Sequence, residues 1–191
     1  MKIVAKYFDE LTTKELYELL KARAEIFVVE QNCVYQDLDD KDYHALHVFF
    51  EEEGKVMAYL RVFPKEAGTV QMGRVLTRQH GTGLGGRLLK TGIEQIQKKM
   101  QAKQIYIEAQ SYATGFYERE GFRIVSDEFL EDGIPHVKMV RNFRMLTEEN
   151  DFHHMEIIER VNETITQLEE NDLCQKKKKR ESQALLQELV F

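Results

Sequence analysis

Apolar and polar positions along the chain switch between a strand period and a helix period, and the switches predict an element order. Met1 to Phe8 predicts a short strand. Thr12-Thr13-Lys14-Glu15 is a capping-box start for a helix with Leu16, Leu19, Leu20, Ala24 and Phe27 at helical spacing, ending near Glu30. Residues 31–43 are polar and acidic. His44 to Phe50 and Lys55 to Phe63 predict two strands joined by a tight turn at Glu53-Gly54, with Pro64 stopping the second. Val70 to Thr77 predicts a third, with Gly73 inviting a bulge or a close backbone approach. Leu84, Leu88, Leu89, Ile93, Ile96 and Met100 then share one helix face, and Ile105, Ile107 and Ala109 alternate as a strand parallel to the one before. Ser111 caps a short helix through Phe116 and Tyr117, which Gly121 ends. Phe122 to Val125 and Pro135 to Phe143 predict the last strands, with Asp132-Gly133 in the turn before the second.

This order contains one βαβ unit inside an otherwise antiparallel meander, and the unit's connection is glycine-rich: Gly81-Thr82-Gly83-Leu84-Gly85-Gly86. Glycines keep Cβ atoms out of the way of a ligand, and the first free N–H groups of a helix, with its dipole behind them, point at whatever sits there. The ligand expected is a phosphate or pyrophosphate. Two readings compete. Gly81, Gly83 and Gly86 satisfy the dinucleotide pattern G-x-G-x-x-G, with Glu108 about where that fold wants an acid, but a dinucleotide fold needs further strand and helix alternation. The other reading is an acetyl-CoA loop, which needs a single crossover helix in a mostly antiparallel sheet.

Charge divides the chain in two. Residues 145–191 hold 11 acidic and 6 basic side chains, against 22 and 21 in residues 1–144, so most of the formal net charge of −6 lies at the end. The acidic balance argues against nucleic acid as the main partner. No apolar run is long enough for a transmembrane helix, and the start lacks a signal-peptide pattern, so a soluble, cytoplasmic protein without a membrane partner is expected. Cys33 and Cys174 have neither disulfide-framework nor metal-ligand spacing, and no metal is expected. Beyond Met145, Ile158, Val161, Ile165 and Leu168 predict a helical C-terminal extension that packs on its own domain or across a homodimer. Lys176 to Arg180 reads as a solvated turn or helix face.

Two linked motifs in residues 1–144 resemble the GNAT superfamily of N-acetyltransferases. Val75, the loop Gly81-Thr82-Gly83-Leu84-Gly85 and Leu88 resemble that family's pyrophosphate loop. Gln110-x-x-Ala113-x-x-Phe116-Tyr117-x-x-x-Gly121-Phe122 resembles its run closing the cofactor groove. Phe27 to Asp37, Gly73 to Thr77 and Asp132 to His136 resemble the ElaA-like branch. The resemblance implies an α/β fold of α+β type, with a mixed, mostly antiparallel sheet flanked by helices. It implies acetyl-CoA as cosubstrate and a small-molecule or peptide amine as acceptor. Backbone groups of Val75, Leu76 and Thr77, the amides of residues 81–85, either Arg78 or His80 in the usual loop-arginine role, and Gln110 would hold acetyl-CoA, and Tyr117 would face the leaving sulfur.

The residue chemistry constrains those roles. A lysine-like amine of pKa ~10.4 costs roughly 4–5 kcal/mol to present neutral at pH 7, so a proton acceptor is needed. His136 suits one near neutrality; Glu30, Asp37, Asp40, Asp42, His47 and Asp132 stand beside it as candidates, Asp132 also as a plain turn residue. A phenol of pKa ~10 is a weaker acid than a thiol of ~8.5, which makes Tyr117 a hydrogen-bond donor to a thiolate before it is a proton donor. The acids at 37–42 fit either a cationic acceptor or a solvated loop. Arg61 and Arg74 fit either an acidic substrate group or salt bridges. A CoA-binding sensor or interaction module is the alternative to an enzyme, and a dinucleotide-dependent oxidoreductase is a third reading.

Overall fold

The computed structural model describes residues 1–33 and 35–143. The expectations for residues 145–191 lie outside them. The chain opens with strand β1 (Lys2–Tyr7) and helix α1 (Thr13–Arg23). Thr12 caps α1: its Oγ1 accepts the Glu15 N–H at 3.2 Å, and Glu15 Oε2 accepts the Thr12 N–H at 2.8 Å, the reciprocal pair that the sequence predicts. Glu15 also takes Lys6 at 2.8 Å, fastening α1 to β1.

The predicted single helix to Glu30 is two structures in succession. After Arg23 the chain widens into a π-helical turn, Ala24–Glu30, closed by the Gln31 N–H reaching back to the Ile26 carbonyl at 3.1 Å. A 3.6-residue apolar period cannot distinguish this turn from α-helix, since Ile26 and Phe27 still meet the core.

Strands β2 (Leu46–Glu52), β3 (Lys55–Glu66) and β4 (Thr69–Thr77) form the expected meander. Strand β3 runs through Pro64 rather than ending there: Pro64 pairs with Val70 just before the register slips between Pro64 and Glu66, an irregularity of the kind that accommodates proline. Helix α2 (Leu84–Met100) crosses to β5 (Gln104–Gln110), and α3 (Thr114–Glu118) follows. The end of the domain carries one strand more than predicted. Arg123–Ile124 (β6) is followed by a three-residue strand, Phe129–Glu131 (β7), too short to show a period, which forms a hairpin with β8 (Ile134–Asn142) across Asp132-Gly133.

The described strands make one mixed sheet of order β1-β2-β3-β4-β5-β8-β6, with β7 also on β8, and β4–β5 as its parallel pair. Alternation sends Val48, Leu60, Met72, Ile107 and Met139 to one face, where Leu88, Leu89 and Ile96 of α2 close the main core. On the other face α1 covers Phe49, Tyr59 and Leu76 in a second, smaller core. No helix among the described residues is long and apolar enough to cross a membrane.

Candidate functional site

The parallel pair β4–β5 is joined only at its beginning. Thr69, Val70 and Gln71 pair with Gln104, Ile105 and Tyr106; past that point β4 stays with β3 and β5 stays with β8. The facing edges of residues 72–77 and 107–110 part into a wedge. One extra residue enters β4 between the Arg61–Gly73 and Tyr59–Leu76 pairs, a bulge that turns the strand where the wedge opens. The sequence predicts this bulge at Gly73. The left-handed residue is its neighbour Arg74 (φ 54°), an uncommon conformation for a long side chain. It is held by its side chain: Arg74 Nε donates to Asp37 Oδ1 at 2.6 Å, and the guanidinium lies over the rings of Phe27 and Tyr35.

The glycine turn stands at the wide end of the wedge. Gly81 (φ 72°) and Gly83 (φ 76°) take conformations that favour glycine, and Gly83 is the N-cap of α2. No side chain caps this terminus, and its first turn has no acid. The donors there are free, with the dipole of a 17-residue helix behind them. Three glycines lie within α2, where each costs up to ~1 kcal/mol relative to alanine. Packing explains Gly92, since a Cβ there would stand 2.5 Å from Leu60 Cδ2. It does not explain Gly85, whose Cβ would make only ordinary contacts with Phe116 and Thr77, or Gly86, whose Cβ would meet nothing within 4 Å. Both open onto a cleft of about 440 Å³. This is a cradle a Cβ would fill, so the turn fits a phosphate-bearing ligand.

Of the predicted ligand residues, Thr77, His80, Gly81, Gly83, Leu84 and Gly85 line this cleft. Thr82 faces back into the turn, its Oγ1 donating to the Gln79 carbonyl at 3.2 Å. Val75 is half-buried against the main core and Leu76 is buried in the second, so they can offer the wedge backbone rather than side chain. Of the two candidates for the loop-arginine role, Arg78 is outside the cleft lining and ion-paired to Glu25 of the π-helical turn at 2.6 Å, while His80 is in the lining, its Nε2 3.2 Å from Glu30 Oε1. Gly86, the last glycine of the turn the sequence singles out, also lines the cleft, as do Gln79, Phe116, Arg119 and Glu120, which the expected cofactor residues leave out. Phe116 was legible from its motif; Arg119 and Glu120 come from the end of α3, which only the fold brings there.

Tyr117 packs edge-on between the rings of Phe116 and Phe122. Burial, with the neighbouring Tyr112, pushes its phenol well above the usual tyrosine range, so it stays protonated at neutral pH. Gln110 ends β5 and pairs with His136 on β8. His136 Nδ1 lies 2.8 Å from the Ile134 carbonyl, which can only accept, so Nδ1 donates there, and Nε2 lies 3.9 Å from Glu131 Oε2.

Three of the four aspartates of the acidic segment, Asp37, Asp39 and Asp42, are neither solvated freely nor available to a cation, while Asp40 is exposed. Arg23, only 1% exposed, sends Nε to Asp37 at 2.8 Å and Nη1 to Asp42 at 2.7 Å. Arg61, 2% exposed, grips Asp39 through Nη1 and Nη2 at 2.6 and 2.8 Å and shares Asp42 at 2.9 Å. With Arg74 on Asp37, three arginines from α1, β3 and β4 match three aspartates. Burial alone would raise the aspartates; the guanidiniums overrule it, holding Asp37 below its ordinary range and Asp39 down to about 2. Arg61 and Arg74 are therefore salt-bridge residues. His47 is engaged on both nitrogens, with Tyr59 Oη at 2.8 Å and the Asp42 carbonyl at 3.1 Å, and burial lowers its pKa, so it stays neutral. Asp132 (φ 50°) occupies its turn.

Comparison with known proteins agrees with this geometry. The family model of the acetyltransferase (GNAT) domain matches residues 11–143. The crystal structure of Escherichia coli ElaA superposes with a TM-score of 0.71 at 33% identity, over 74% of this chain and 100% of that one. That of an acyl-CoA N-acyltransferase from Pseudomonas aeruginosa gives 0.70 at 36% identity, over 74% and 99%. An aminoglycoside 6'-N-acetyltransferase complexed with coenzyme A shares the fold alone, with a TM-score of 0.57 at 12% identity over 73% and 96%.

Proposed function

Given that the chain belongs to the GNAT acetyltransferase family, we propose that it transfers the acetyl group of acetyl-CoA to a primary amine of a small molecule or peptide. The observation that carries this reading is the uncapped, acid-free start of α2 at the mouth of a strand wedge, with two glycines that neither backbone nor packing requires. Acetyl-CoA would supply an activated thioester. The amides of residues 83–86 would take its pyrophosphate, and the edge of β4 from Val75 to Thr77 would bind its amide-bearing arm. Tyr117, kept protonated by burial, would donate a hydrogen bond to the sulfur as negative charge develops there. His136 is the sequence-derived candidate for a proton acceptor.

The test has two parts. Calorimetry with acetyl-CoA and with NAD separates this reading from a dinucleotide enzyme, and CoA release over a panel of amines and peptides identifies the acceptor. Binding of acetyl-CoA without turnover on any amine would favour the alternative, a CoA-binding sensor or interaction module. That alternative has one observation in its favour, since Arg23, Arg61 and Arg74 and the aspartates Asp37, Asp39 and Asp42 are spent on one another. Residues 145–191, beyond the family match, are proposed to form a helical extension that contributes to a homodimer. Truncation after Arg144 with light scattering checks it, and an unchanged mass and melting curve would refute it.

A further inference from the structure

The wedge holds an ionisable group that neither the network nor the sequence-derived roles use. On β5, Ile105, Ile107 and Ala109 enter the main core, so Tyr106, Glu108 and Gln110 face the opposite side of the sheet. The last β4–β5 pair is Gln71–Tyr106. Glu108 is thus the first outward residue of β5 inside the wedge, while Gln110 and its partner His136 lie about 7 Å further toward the wide end. Its carboxylate is fixed at both oxygens: Oε1 accepts the Tyr106 hydroxyl at 2.7 Å and Oε2 accepts the Gln71 amide at 3.2 Å. Each oxygen keeps a second accepting direction.

The position level with Glu108 on β4 is Gly73, which shares a face with Gln71. Its φ is outside the left-handed range, and nothing stands within 4 Å of where its Cβ would be. Neither conformation nor packing calls for glycine there. What its absent side chain leaves is open space beside a held carboxylate, at the point where the two strands part.

We infer that Glu108 is the proton acceptor for the attacking amine and that Gly73 provides the room for it. This rests on the acetyl-transfer reading. An amine arriving as ammonium gives one proton to Glu108 and becomes nucleophilic. Its lone pair forms the C–N bond to the acetyl carbon as the C–S bond breaks. The proton that nitrogen sheds on becoming an amide neutralises the departing thiolate, directly or through the Tyr117 hydroxyl, and Glu108 returns its own proton to water. Its position at the narrow end is what separates it from His136.

The experiment compares wild type, Glu108→Gln, Glu108→Asp and Gly73→Val, using acetyl-CoA with spermidine and with an Nα-blocked lysine methylamide as acceptors. Glutamine keeps the size and an accepting oxygen for Tyr106, so the melting curve and the acetyl-CoA affinity by calorimetry should stay as in wild type. The kcat of Glu108→Gln should fall about 100-fold or more, the usual scale for a lost general base, with partial retention in Glu108→Asp. Gly73→Val should raise the amine KM about tenfold with acetyl-CoA binding intact, on the logic that it removes ground-state room. A Glu108→Gln enzyme within about threefold of wild-type kcat overturns the role of Glu108 while leaving the transferase reading in place. So does loss of acetyl-CoA binding in that variant. An unchanged amine KM in Gly73→Val overturns the assigned room. A wild-type protein that binds acetyl-CoA and acetylates neither these two amines nor any member of the amine and peptide panel overturns the transferase reading, and the role of Glu108 with it.

Discussion

The two sides of the wedge solve opposite electrostatic problems. At the start of α2 the chain leaves backbone donors unpaired, with no capping side chain and no acid nearby. In the arginine–aspartate network it buries charges that would each be costly alone and pairs Asp37, Asp39 and Asp42 with arginines from three different elements. An unspent dipole marks where a ligand belongs, whereas a satisfied network marks scaffolding. The most charged segment of the domain is therefore its least reactive part.

The contrast can be broken most severely by acid. Asp37 and Asp39 have folded pKa values below their unfolded ones, so the stability they contribute is full above about pH 4 and is lost as pH falls through the folded values, near 2 for Asp39. His47, lowered by burial, works in the same direction from about pH 6.5 downward, since protonation favours the unfolded chain. Melting curves should thus decline gently from pH 7 to 5 and steeply below 4. A protein more stable at pH 3 than at pH 7 would contradict this account of the network.

Removing one arginine comes next. Arg23→Ala strands Asp37 and Asp42 in part and should cost about 3–5 kcal/mol in urea denaturation, the usual penalty for halving a buried pair. The glycine turn should respond in the opposite manner. Gly85→Val is expected to lower acetyl-CoA affinity about 100-fold or more, roughly 2.7 kcal/mol, with a melting temperature near wild type. Gly83 is the weaker probe, because its φ of 76° makes substitution there a test of folding as well. Tyr117→Phe should lower kcat about tenfold, near 1.4 kcal/mol, with little change in the KM for acetyl-CoA. The smallest effect is Gly86→Ala, which should stabilise the fold by up to about 1 kcal/mol while weakening acetyl-CoA binding. If it strengthens both, the cradle is misassigned.

Much of this was legible in the sequence because it follows from period and punctuation. The capping box at Thr12, the α2 face and the turns at Gly54 and Gly133 each have a local cause. The parallel crossover was legible because it alone separates two apolar runs by a glycine turn and a helix. What escaped depended on partners distant in sequence. Nothing local announces that Arg23, Arg61 and Arg74 converge on residues 37–42, so that segment read as a loop with free acids. The sequence points to a bulge or close approach at Gly73, whereas the left-handed residue of the bulge is Arg74, whose side chain Asp37, Phe27 and Tyr35 hold. Glu108 entered the sequence reading only through a dinucleotide pattern, and its setting depends on where two strands stop pairing.

The π-helical turn at Ala24–Glu30 carries one more consequence. It follows directly on Arg23, which is anchored in the network, and reaches the glycine turn through Glu25 to Arg78 and Glu30 to His80. The turn therefore links the arginine–aspartate network to the glycine turn through ion pairs at both of its ends. On the acetyl-transfer reading, an effect of one substrate on the other's affinity through this turn would be returned by the same factor, as thermodynamic reciprocity requires. If the proposed acetyl transfer holds, its two substrates should behave as partners in steady-state kinetics, the apparent KM of each depending on the concentration of the other, and Glu25→Gln should loosen that dependence before it impairs either binding site alone.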